Sequence, residues 1–136
     1  MAKIIPGVNS SATSGEKRFG QRLEALLEDD YLCWFNVPIG RRYQHPDFVV
    51  LHPRRGLLVL EVKDWKLDNI ISINPDTVSL MTLGGLKEQL HPLAQARQYA
   101  HAIKGILERD KALLAPKGHP YQGRLVFPYG FGVVLS

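Results

Sequence analysis

The segment Pro46-Asp47-Phe48-Val49-Val50-Leu51-His52-Pro53-Arg54-Arg55-Gly56-Leu57-Leu58-Val59-Leu60-Glu61-Val62-Lys63 reads as two apolar strands joined by a turn. Pro53 and Gly56 supply the turn chemistry. Strand alternation puts Leu57, Val59, Glu61 and Lys63 on one face. Uncompensated charge on a buried face is costly, so something must satisfy it. Centring the turn on Arg54 places Asp47 directly opposite Glu61. Opposed residues share a face with their Cβ atoms about 5 Å apart. Two carboxylates that close repel unless one is protonated or a cation lies between them. A turn centred half a residue later would instead set Asp47 against Val62.

Around this hairpin the chain alternates between helical and extended patterns. Thr13-Ser14-Gly15-Glu16 is a Thr-x-x-Glu capping box, with Phe19, Leu23, Leu26 and Leu27 following at helical spacing. Glu16 lies on the core-facing stripe of that helix and is a third candidate carboxylate. Residues 1–13 read as an irregular lead-in, and Glu28-Asp29-Asp30 ends the helix. Tyr31 to Ile39 reads as a strand, and Arg41-Arg42-Tyr43 as part of a basic loop. Two weaker strands, near Ile70–Ile73 and Thr77–Thr82, flank the turn Asn74-Pro75-Asp76. A second long helix starts at Pro92, a proline tolerated in the first turn, and runs to about Asp110. Its apolar stripe is Leu93, Ala96, Ala100, Ile103 and Leu107, and Gln95 and Tyr99 sit four apart on one face. A last strand follows from Arg124, interrupted by Pro128, Gly130 and Gly132. The order predicts an α/β fold with a mixed central sheet.

Composition bounds what such a domain does. At 136 residues the chain is one domain. With 45% hydrophobic and 22% charged residues it is neither a disordered tail, a coiled coil nor collagen-like. A net charge of +4 is compatible with a polyanionic partner. The single cysteine, Cys33, excludes an internal disulfide and a Cys-based zinc site, and fits a reducing, cytoplasmic compartment. The five histidines show no metal-ligand spacing and read as structural. Oxygen ligands without sulfur or clustered imidazole favour a hard ion, magnesium or manganese. No apolar run is long enough to span a membrane, and the N-terminus lacks the core of a signal peptide. The apolar run Val133-Val134-Leu135 at the end reads as a domain cut from a longer protein.

Asp47 after Pro46, followed by Glu61-Val62-Lys63 at a strand end, resembles the PD-(D/E)xK nuclease signature. Gly15-Glu16, Asn36-Val37-Pro38-Ile39, Pro46-Asp47-Phe48-Val49-Val50 and Gly56 to Trp65 together resemble the NERD (nuclease-related domain) family, over residues 14–136. Pro92, Gln95 and Tyr99 are similar to its second-helix region and to the QxxxY pattern of RecB-like nucleases. The resemblance implies a restriction-endonuclease-like fold, its central sheet flanked by helices. It also implies magnesium-dependent hydrolysis of DNA, in DNA processing or repair, and a helicase domain as neighbour in the full-length chain.

The roles implied are specific. Asp47, Glu61, Glu16 and the Val62 carbonyl would hold the ion, which polarises phosphate and acidifies water. Lys63 would position that water and stabilise charge growing on the phosphorane. Gln95 and Tyr99 would support the site or touch the DNA backbone. Arg41, Arg42, Arg54 and Arg55 would neutralise phosphates, and Trp65 would stack on a base in a frayed strand. Taken singly, each has a plainer reading: Glu16 as a helix cap, Asp47 as a strand opener, Glu61 and Lys63 as an ion pair. The alternative function is a non-catalytic module that binds DNA or docks a partner.

Overall fold

In chain order the elements are β1 (Lys3–Ile5), α1 (Ser14–Leu26), β2 (Leu32–Phe35), β3 (Phe48–His52), β4 (Gly56–Lys63), β5 (Ile70–Ile73), β6 (Thr77–Thr82), β7 (Gly85–Leu90), α2 (Pro92–Leu107) and β8 (Tyr129–Leu135). They are taken from a computed structural model that describes residues 2–40 and 44–136.

The central hairpin is the one the turn residues demand. His52 pairs with Gly56 and Phe48 with Leu60, so the turn centres on Arg54. Gly56 has φ +91°, and a Cβ there would lie 2.0 Å from the Pro128 carbonyl oxygen. Only glycine meets both conditions. His52 locks the same turn: its Nδ1 accepts from the Arg54 N–H at 3.0 Å, and its Nε2 pairs with Asp30 at 2.7 Å. His52 thus ties the hairpin turn to Asp30.

The five-stranded sheet runs β1-β2-β3-β4-β8. β1 and β8 lie parallel to their neighbours, and the inner pairs are antiparallel. The fold is thus mixed α/β, with helices on both faces of the sheet. On one face Phe48, Val50 and Val62 pack with Leu23 of α1. Phe48 is fully buried, its ring 5.2 Å from those of Phe19 and Phe35. On the other face Val49, Leu57 and Val59 pack with Ala100 and Ile103 of α2. Alternation along β4 thus sends odd-numbered residues toward α2 and even-numbered ones toward α1.

Several boundaries differ from the sequence reading. Lys3–Ile5, within the stretch read as irregular, pairs with Leu32–Trp34 and buries Ala2 and Ile4. β2 stops at Phe35 because Asn36 turns the chain with φ +53°. The two weak strands gain a third, β7, and make a separate antiparallel sheet, β5-β6-β7. α2 ends at Leu107, and Leu93 of its predicted stripe stays exposed. β8 starts only at Tyr129, after Pro128, which cannot donate to a ladder. No described helix is long and apolar enough to cross a membrane.

Candidate functional site

The β3–β4 register, carried one step past Phe48 and Leu60, sets Asp47 opposite Glu61. Hydrogen bonds tie the two residues together at that point. The Asp47 N–H donates to Glu61 Oε1 at 3.4 Å, and the Val62 N–H donates to Asp47 Oδ2 at 2.9 Å. Asp47 thus ends the β3 ladder with its side chain in place of a backbone carbonyl. Val62 meets Asp47 through its N–H.

Glu61 is 2% exposed. Burial, then the negative charge of Asp47 and a hydrogen bond with its carboxyl, pushes the Glu61 pKa up to about 8. Lys63 opposes this with its positive charge. The energetic reason is direct: a carboxylate taken from water beside another favours the neutral form.

Glu16 reaches the same place from α1. Its Oε2 accepts from the Thr13 N–H at 3.0 Å, and Thr13 Oγ1 accepts from the Glu16 N–H at 3.2 Å. The capping box is complete. Glu16 also hydrogen-bonds to the Asp47 side chain. Burial raises its pKa, and the charges of Asp47 and Asp64 raise it further. The cap reading and the site reading of Glu16 are therefore compatible.

Each of the three carboxylates has one oxygen turned to a backbone N–H. Among the described residues no group of three or more His, Cys, Asp or Glu is arranged so that it could hold a metal ion. The donor set nevertheless suits a hard cation. Asp47 lies between Glu16 and Glu61, and its negative charge helps raise both of their pKa values, a repulsion that a proton or a cation would relieve.

Lys63 extends along the same face of β4 as Glu61. Its Nζ lies 5.8 Å from the centre of the Trp65 ring, and among the described residues no carboxylate is within ion-pair distance. Gln95 and Tyr99 are brought together, the Gln95 amide donating to the Tyr99 hydroxyl at 3.1 Å. The Tyr99 ring belongs to the apolar layer on that face. Among the described residues neither hydrogen-bonds to the carboxylates.

Other candidates lie elsewhere. Arg54 and Arg55 occupy the hairpin tip, roughly 20 Å along the strands from Glu61. There Arg55 donates to the Tyr31 hydroxyl and lies over its ring. The two are therefore not part of the carboxylate site. Arg41 and Arg42 lie outside the described residues.

Asp64 was missed from the sequence. It points away from Lys63, toward α1. Its Oδ1 accepts from Thr13 Oγ1 and its Oδ2 from the Gly15 N–H, each at 2.9 Å. A Cβ on Gly15 would lie 2.5 Å from Asp64 Oδ1. Asp64 thus clamps the start of α1 to the end of β4 and places Glu16 beside Asp47. The available signal was alternation: a residue after Lys63 must face the other helix.

No curated protein and no solved structure matches the chain. The family model of the nuclease-related domain, NERD, matches residues 11–128, and the chain belongs to that family.

Proposed function

We propose that this domain is a magnesium-dependent nuclease that hydrolyses DNA phosphodiester bonds. The observation that carries the reading is the buried Glu61 carboxyl, opposed by Asp47, flanked by Glu16, with Lys63 on the same face. The family, nuclease-related by description, supports the same chemistry. Asp47, Glu61 and Glu16 would hold the ion, with the Val62 carbonyl as a further ligand. Mn²⁺ would substitute. When bound, the ion polarises a phosphoryl oxygen and makes water more acidic.

The chain's own groups do the rest. The backbone N–H bonds to Asp47 and Glu61 orient their carboxylates before substrate arrives. Lys63 would orient water and offset negative charge building on the phosphoryl oxygens. The Trp65 ring, its centre 5.8 Å from that ammonium, offers it a cation–π contact. Gln95 and Tyr99, hydrogen-bonded to each other on α2, would support the site from that helix. A role in DNA processing or repair beside a helicase rests on the sequence resemblance alone.

The test is cleavage of single-stranded, flapped and supercoiled DNA with Mg²⁺, Mn²⁺ or EDTA. Metal-dependent cutting is expected from the wild type and not from Glu61→Ala or Lys63→Ala. Salt-sensitive binding without cutting of any substrate would instead identify a non-catalytic DNA-binding module.

A further inference from the structure

Beside the carboxylates lies a cavity that the proposed chemistry leaves unused. Glu61 pairs with Val133 of β8 and Lys63 with Leu135. Residues paired in register share a face, so Val133 and Leu135 flank the reactive side chains one strand away, about 5 Å across the sheet. Both line a hollow of about 260 Å³, with Trp65, Ile73, Val78 and Leu93 among its other walls. Its size falls just below the ~300–1,000 Å³ of pockets that take a whole small molecule. The rim is apolar yet open: Ile73 is 61% exposed, Leu93 42% and Leu135 41%. A second hollow shares His91 and Leu93 with the first and continues to Phe131 and Arg97.

We propose that this cavity receives a nucleobase of the strand being cut, so that the domain selects unpaired DNA. The inference rests on the nuclease reading for its location. Continuity with the carboxylates selects the occupant: Val133 and Leu135 flank Glu61 and Lys63 and also line the hollow, so a base attached to a phosphate at Asp47, Glu61 and Lys63 has the hollow within reach. An apolar hollow with an indole at its edge suits a planar ring and repels a bare phosphate. The Lys63 ammonium beside Trp65, and Arg97 in the adjoining hollow that Asp76 also lines, suit the charged backbone on either side. Bases within a duplex are held in their own stack and cannot enter without being flipped out. Base–aromatic contact is sequence-tolerant, because every base has a π-face. The three-stranded sheet β5-β6-β7 then has a use, since Ile73 and Val78 build the outer wall.

The test compares binding of labelled oligothymidine, an abasic strand of equal length and a duplex, by fluorescence anisotropy in EDTA. Wild type is expected to bind oligothymidine about tenfold more tightly than the abasic strand. Trp65→Ala and Ile73→Asp are expected to bring that ratio close to one, and Trp65→Phe to keep most of it. Circular dichroism checks that each variant is folded. Should Ile73→Asp unfold, Leu93→Asp on α2 takes its place. Equal binding of the two strands by wild type, or a ratio unmoved by Trp65→Ala and the rim variant, overturns the proposal. Cutting without base preference would remove the base cavity and leave the nuclease. Base-dependent binding without cutting in Mg²⁺ would do the reverse.

Discussion

Replacing Glu61 by Gln separates the charge of this residue from its shape. The amide mimics the protonated carboxyl and cannot ionise. In the folded protein the Glu61 pKa is about 8, against 4.5 for the free side chain. The shift is upward, so folding favours the protonated form. Its stabilising contribution is full below the unfolded value near 4.5 and is lost as pH rises toward 8. At 1.36 kcal/mol per unit, the 3.5-unit difference between 8 and 4.5 corresponds to roughly 5 kcal/mol as an upper figure. Between pH 5 and 7 the wild type should lose about 2.5 kcal/mol relative to Glu61→Gln. The assay is urea unfolding of both proteins in EDTA across that range. Mg²⁺ at a hundred times its dissociation constant should return about 2.7 kcal/mol to the wild type and less to the variant. Parallel pH curves for the two proteins would refute the idea that buried, opposed carboxylates create the demand for a cation.

Three further outcomes follow from the same contacts. Asp64→Ala should cost about 1–2 kcal/mol in urea unfolding, because it removes two hydrogen bonds to the start of α1, and should slow any metal-dependent cutting through a displaced Glu16. Gly56→Ala should destabilise by at least about 2 kcal/mol, since the new Cβ meets the Pro128 carbonyl and the backbone has positive φ; thermal unfolding reads it. Phe48→Ala should cost about 3–5 kcal/mol by the same urea assay, because a fully buried ring between Phe19 and Phe35 is replaced by a cavity.

The clamp between Asp64 and α1 also explains why one glutamate does two jobs. Glu16 completes a helix cap through one oxygen, a local interaction any Thr-x-x-Glu segment can make. It becomes part of a carboxylate cluster only because Asp64, 48 positions later, holds that cap against β4.

What the linear chain determined was everything governed by short spacing. Pro53 and Gly56 marked the hairpin turn and alternation put Glu61 and Lys63 on one face, while the choice between Glu61 and Val62 as the residue opposite Asp47 fell to the folded register. The capping box at Thr13, the proline at the start of α2 and the turn at Asn74–Asp76 are equally local. Tertiary structure alone decided the rest. β1 is three residues long and gains its order from pairing with β2, a partner far along the chain. β7, half of it polar, is a strand only through its pairing with β6. The basic hairpin tip and the acidic end of the same strands look close in sequence but lie at opposite ends, because an extended chain covers about 3.3 Å per residue. The cavity beside Trp65 arises from β5, β6, α2 and β8 meeting in space. Backbone geometry and alternation act between neighbours, whereas burial, clamping and cavities depend on which distant surfaces come together.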